Sequence, residues 1–150
     1  VNLAPDCTDF SCRLSGNTLL PAKMAGTIKH PGRYESPFQV HIDEVVRDGD
    51  CIVRGWYYWK SDKAMAGVRP CLVLSGENGE AVCYEACKVE RRDVAEALGV
   101  EWQECGFSCR LPGDTGKRIE KGAKIGILLK TTGWRKKLNW SDYISTKEDI

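Results

Sequence analysis

Histidine is almost missing from this 150-residue chain: there are two, His30 and His41. His30 sits beside a Pro-Gly turn and His41 on the polar side of an alternating stretch, so local sequence places neither next to a nucleophile. No Gly-x-Ser-x-Gly, His-Glu-x-x-His, phosphate-cradling glycine loop or Asp-rich calcium loop occurs. Carboxylate pairs of the glycosidase kind could be drawn in many ways, and nothing singles one out. The chain therefore reads as a non-catalytic domain that needs no cofactor. Excess charge is missing as well. With a net charge of +1, bulk electrostatics does not point to a polyanion. The densest basic run, Arg135-Lys136-Lys137, reads as a solvated surface rather than a nucleic-acid contact. No apolar run approaches the length of a membrane span, and the N-terminus lacks the layout of a signal peptide. A start at Val1-Asn2-Leu3 reads as a processed or excised piece, so the missing leader says nothing of the parent chain.

Cysteine, by contrast, is plentiful. There are eight. Cys83 and Cys87, like Cys105 and Cys109, are separated by three residues, a looser spacing than zinc knuckles use. Residues four apart on a strand share a face, so each pair could sit side by side in a core as small hydrophobes. Buried reduced thiols are the leading expectation, with disulfides and zinc as alternatives.

The chain also repeats itself. Phe107-Ser108-Cys109-Arg110-Leu111-Pro112-Gly113-Asp114-Thr115 matches Phe10-Ser11-Cys12-Arg13-Leu14-Ser15-Gly16-Asn17-Thr18 at seven of nine positions. The echo resumes where residues 22–29 align with residues 123–130. An offset near the size of a small domain suggests that residues 1–35 are a partial copy or extension repeating 105–135. Residues 36–140 would then be a complete domain, followed by a charged tail over 141–150. The competing reading is two similar strands within one fold. On the tandem reading, residues 9–14 should form a strand equivalent to 106–111.

Alternation and turn residues supply the elements. Residues 23–29, 38–43, 51–60, 70–74, 81–89, 106–111 and 123–131 read as strands. Asp48-Gly49 and Asn78-Gly79 mark hairpin turns. Residues 61–69 read as a polar loop, and a Gly- and Lys-rich turn separates the last two strands. Asp93 reads as the N-cap of one short helix that ends at Gly99. Short strands at regular spacing with one helix predict an all-β antiparallel sandwich, immunoglobulin-like or jelly-roll-like. Its expected core is Val40, Ile42, Val53, Leu72, Leu74, Phe107, Ile125, Ile127 and Leu129.

Trp56-Tyr57-Tyr58-Trp59 is the best candidate for binding. Alternation puts Tyr57 and Trp59 on one face and Trp56 and Tyr58 on the other. A flat exposed aromatic face suits a pyranose ring, and large aromatics equally serve as core packing. The candidate carbohydrate-binding residues are Tyr57 and Trp59, with Trp102 and Trp134 beside them. Gly55, Trp56, Arg91, Asp93, Gly106 and Phe107 take structural roles, Arg91 by pairing with a carboxylate or a carbonyl.

Residues 38–133 resemble the β-sandwich accessory domain of bacterial glycosyltransferases and teichoic-acid-type polymer synthases. The resemblance rests on an ordered set: Val40-His41-Ile42-Asp43-Glu44-Val45, then Gly55-Trp56-Tyr57-Tyr58, then Arg91 to Ala95, then Gly106-Phe107, then Gly122 to Ile127. It implies a non-catalytic module that accompanies enzymes building cell-surface polysaccharide. Its implied partners are a sugar or polysaccharide and the neighbouring domains of a parent glycosyltransferase. Its implied location is the cytoplasm, at the inner face of the membrane, with the cell surface as the alternative. No family motif fixes a sugar-binding residue, and the cysteine content departs from the pattern. A structural spacer from a tandem array, with no small ligand, is the second reading.

Overall fold

The computed structural model describes residues 21–131 and 135–143. Two antiparallel sheets face each other across one core. The four-stranded sheet is built from β2 (Gln39–Asp48), β3 (Asp50–Tyr58), β7 (Gly106–Leu111) and β6 (Cys87–Val89), in the order β2-β3-β7-β6. The five-stranded sheet is built from β1 (Met24–Ile28), β5 (Ala81–Glu85), β4 (Arg69–Ser75), β8 (Ile125–Lys130) and β9 (Lys136–Trp140), in the order β1-β5-β4-β8-β9. The all-β sandwich expected from alternation is the observed fold class.

Alternation decides which side chains meet. Along β3, Cys51, Val53, Gly55 and Tyr57 point inward while Ile52, Arg54, Trp56 and Tyr58 point out. Val53, Tyr57, Phe107 and Leu111 then pack against Leu72, Leu74, Ile125, Ile127 and Leu129 of the facing sheet. Of the nine expected core residues, eight are buried and Val40 is partly so.

The five-stranded sheet is apolar on both faces. Its outer side carries Cys71, Val73, Cys83, Leu128 and Leu138 in a second buried cluster. The chain between β1 and β2 covers it. β1 lies at one edge of the sheet, yet Ser36 N–H donates to the Leu138 carbonyl of β9 at the other edge. The connection must therefore cross the outer face, and on the way the 3-10 turn Pro31–Tyr34 packs Tyr34 onto the cluster.

Helices close the two open ends. At one end α1 (Asp62–Ala66) brings Met65 into the core, and α2 (Arg92–Leu98) adds Val94 beside it. At the other, α3 (Gly113–Glu120) inserts Ile119 and joins the sheets through an Arg47–Glu120 ion pair and an Arg118 bond to the Ser75 carbonyl.

Several expectations change. There are three α-helices among the described residues rather than one, because α1 replaces the polar loop and α3 replaces the Gly- and Lys-rich turn. Ser61 caps α1 by accepting from Ala64 N–H at 3.2 Å. Asp93 does not cap α2: it lies inside the first turn, and Arg91 occupies the cap position without a side-chain cap bond. Residues 81–89 are two strands, since the chain switches sheets at Ala86. That switch also separates Cys83 from Cys87. β9 is an additional strand. Within the expected partial copy or extension over residues 1–35, β1 pairs with β5 and belongs to the same sandwich. In the aligned echo, residues 22–29 and 123–130 supply β1 and β8, two strands of one sheet. Residues 9–14 lie outside the described residues.

Candidate functional site

Inward parity fixes the fate of the aromatic run. Val53 faces the core, so Tyr57, four residues on, must too. Tyr57 is 0% exposed, with its ring 6.5 Å from that of Phe107. It cannot meet a sugar, which corrects its assignment as a binding residue. Its hydroxyl is among the buried polar atoms without a hydrogen-bond partner, and burial pushes its pKa well above the usual tyrosine value. Trp59 follows the end of β3 and is half-buried, its backbone N–H 3.3 Å from Met65 Sδ and its ring 5.8 Å from the Lys60 ammonium. Trp102 is half-buried and donates its indole N–H to the Glu104 carbonyl at 3.1 Å. Trp134 lies outside the described residues.

The outward partners, Trp56 and Tyr58, form the shelf instead. Trp56 pairs across the sheet with His41 of β2 on one side and Gly106 of β7 on the other. The His41 ring lies 6.0 Å from it, tilted by 39°. On the opposite side, a Cβ added to Gly106 would fall 2.4 Å from Arg91 Cγ, so the arginine stem lies directly over the glycine. That close approach is why the position has no side chain. The Arg91 guanidinium then grips Asp93 with both Nε (2.9 Å) and Nη2 (2.8 Å), and reaches Asp43 with Nη1 at 2.5 Å. Asp43 is available because a bulge between Ile42 and Glu44 interrupts the β2–β3 register. His41 Nε2 is 3.7 Å from the same Asp43 carboxylate.

Tyr58 extends the shelf toward α1. Its hydroxyl donates to Asp62 Oδ1 at 2.6 Å, and Asp62 Oδ2 accepts the Glu101 N–H at 3.2 Å. Burial and this Asp62 hydrogen bond push the phenol up to about 12. Tyr57 N–H donates to the Cys105 carbonyl, one residue beyond the Trp56–Gly106 pair.

No protein-family model, curated protein or solved structure matches the chain. The site must be read from its own chemistry. Two outward aromatic rings are bordered by His41, Asp43, Arg91 and Asp93 at one end and by Asp62 at the other. Arg91 Nε, Nη1 and Nη2 are all engaged with Asp93 and Asp43. Nothing in the arrangement pairs a base with a nucleophile. Among the described residues no three His, Cys, Asp or Glu side chains converge on a metal position.

Arg91 and Asp93 thus have partners of the kind their structural role requires, but those partners sit beside the shelf. Trp56, Gly55, Gly106 and Phe107 carry packing, and Trp56 carries the outer surface as well. Sequence reasoning missed Trp56, Tyr58, His41 and Asp43 as site residues. The parity of Val53 was the available signal.

The cysteines are structural in their surroundings. Cys51, Cys105 and Cys109 lie in the main core, and Cys71 and Cys83 lie in the outer cluster. All five are free and buried, and burial raises each thiol pKa, that of Cys83 to about 11. Cys87 is disulfide-bonded.

Proposed function

We propose that this chain is a non-catalytic β-sandwich module that works beside bacterial glycosyltransferases of cell-surface polysaccharide and contacts carbohydrate through the Trp56–Tyr58 shelf. The observation that carries the reading is Trp56 itself: a half-buried indole on the outer sheet face, framed by His41 and by the Arg91–Asp43–Asp93 clamp. Axial C–H bonds of a pyranose can stack on the ring while its hydroxyls reach the rim. The ordered motifs of the family resemblance support the glycosyltransferase setting.

A ligand-free spacer would hold to its neighbours through apolar surface. Among the described residues the large exposed hydrophobics are Met24 and Val46, which lie on different sheets and form no patch. That favours the carbohydrate reading. For location, five free thiols fit a reducing compartment on the cytoplasmic side, and the Cys87 disulfide stands against it. No helix among the described residues is long and apolar enough to cross a membrane.

Titration with a panel of hexose and hexosamine oligosaccharides, followed by indole and phenol NMR resonances, tests the proposal. Trp56→Ala should weaken binding by about tenfold, the scale of one lost aromatic stacking contact. Tyr57→Phe should leave affinity unchanged. Binding by no oligosaccharide, or binding indifferent to both Trp56→Ala and Tyr58→Ala, would overturn it.

A further inference from the structure

We infer that the outer face of the five-stranded sheet carries a site for a phosphate monoester, formed by Arg69, Lys130 and Lys136 with the Tyr34 hydroxyl beside them. The site lies on the other sheet from the Trp56–Tyr58 shelf and does not rest on the carbohydrate reading. Strand register sets the three cations in one row: Arg69 of β4 pairs with Lys130 of β8, and Lys130 with Lys136 of β9. Parity turns all three outward, because each stands two residues from a member of the outer cluster, Cys71, Leu128 or Leu138. Their charges reach that cluster, since all three oppose the rise of the Cys71 thiol pKa. The Arg135-Lys136-Lys137 run is thereby divided, with Lys137 paired to the inward Leu129.

Neighbouring strands lie about 4.8 Å apart, so Lys130 has a cation on each side. Like charges directly opposite each other destabilise a sheet. Nothing on the protein relieves them. Among the described residues no ion pair includes any of the three, nor Glu85, which stands opposite Cys71 on the same face, nor Glu35, which follows Tyr34. Lys136 holds its ammonium 5.8 Å from the Tyr34 ring, and the Tyr34 hydroxyl makes no hydrogen bond among the described residues. The chain as a whole has a net charge of +1, so the surplus is local to this row. A phosphate monoester answers it with three acceptor oxygens and close to two negative charges. Arg69 brings a planar fork, the lysines bring point charges, and the phenol brings a fourth donor. A carboxylate, with one charge and two oxygens, leaves the row mostly uncompensated.

The test titrates the full chain with inorganic phosphate, and with acetate at matched ionic strength, at mildly alkaline pH. Phosphate should raise the thermal unfolding midpoint and shift the Tyr34 ring resonances, and acetate should do neither. Lys130→Gln should weaken phosphate at least about tenfold, the scale of one lost charge-assisted hydrogen bond. Without phosphate the same variant should unfold at a higher urea concentration, because the like-charge contacts are gone. Lys137→Gln removes equal charge from the opposite parity and should leave phosphate binding unchanged. Vesicles of phosphatidylcholine carrying phosphatidic acid, against vesicles carrying phosphatidylglycerol at equal surface charge, separate a lipid-borne phosphate from a soluble one. Binding that needs Lys130, to inorganic phosphate or to phosphatidic acid alone of the two lipids, upholds the site and identifies the source. Equal effects of phosphate and acetate together with equal binding to the two vesicles, or equal losses in Lys130→Gln and Lys137→Gln, overturn it, since each shows response to bare charge. A Lys130→Gln variant less stable than the parent in the absence of phosphate also overturns it, because the row then supports the fold rather than straining it.

Discussion

A single hydroxyl separates Tyr57 from phenylalanine, and this core makes no visible use of it. The group is fully buried, has no hydrogen-bond partner among the described residues, and has its ionisation suppressed by burial. An unpaired buried hydroxyl costs about 1–3 kcal/mol, so Tyr57→Phe should leave stability equal or raise it within that range. Tyr57→Ala should lower it by about 3–5 kcal/mol through the cavity it opens. Urea midpoints of the two variants check both. Asp93 illustrates a different balance. The Arg91 hydrogen bonds hold its carboxyl below the usual range. A depressed folded-state pKa contributes stability that is complete above the unfolded value, near about 3.9, and lost as pH falls through the folded value. Stability should therefore decline at acid pH, and Asp93→Asn should flatten that part of the profile. With 68% of the Asp93 side chain exposed, solvent screening keeps the effect under about 1 kcal/mol. Denaturant titrations from neutral pH to about pH 3 measure it.

Elements show where local signals were sufficient and where they were not. The β2–β3 hairpin follows from the turn at Asp48-Gly49, with Gly49 at φ 78°. The β4–β5 hairpin follows from Asn78-Gly79, with Gly79 at φ 77°. α1 was hidden by its length of five residues, although Ser61 ahead of Asp62 is a capping signal. Ser61→Ala should cost about 0.5–2 kcal/mol, and because Asp62 rides on α1, it should also loosen the Tyr58–Asp62 bond. A downfield-to-upfield return of the Tyr58 ring resonances toward random-coil values would report that loss. α3 was hidden by two glycines in its first four residues, a composition that argues against a helix by propensity. Tertiary packing overrode it: a Cβ at Gly116 would lie 2.7 Å from Cys51 Cβ, so the glycine is what lets the helix lie against β3. Gly55 is held by a similar constraint. A Cβ there would lie 2.1 Å from the His41 carbonyl oxygen and 2.9 Å from the Phe107 ring. Gly55→Ala should force β2 away from β3 and lower the urea midpoint by at least the cost of overpacking, about 1–3 kcal/mol. It should disturb the His41–Trp56 contact in the same step.

At the scale of the molecule, two buried layers explain why so many cysteines can stay free. One set lies between the sheets, the other between the five-stranded sheet and the connection that crosses it. Raised pKa values and burial both suppress the thiolate, which is the reactive form. In the folded protein at mildly alkaline pH, Cys51, Cys71, Cys83, Cys105 and Cys109 should resist alkylation, and all five should become reactive in one step on denaturation. Alkylation read peptide by peptide by mass spectrometry checks this. Labelling of Cys71 and Cys83 ahead of the others would show that the crossing connection opens separately from the main core.

The sequence by itself determined most of the strands, the two glycine hairpin turns and nearly all of the inward set, because alternation and turn chemistry act over a few neighbouring positions; β9 and the switch of sheets at Ala86 depend on distant partners. It also held the parity that buries Tyr57, once Val53 is taken as core. What it could not contain was the meeting of distant segments. Arg91 and Asp43 are 48 positions apart, and Tyr57 and Cys105 are equally far. Only the strand order β2-β3-β7-β6 brings them to one end of one sheet. The shelf around Trp56 is a product of that order: the alternation of a single strand turns the ring outward, and three other segments supply everything that surrounds it.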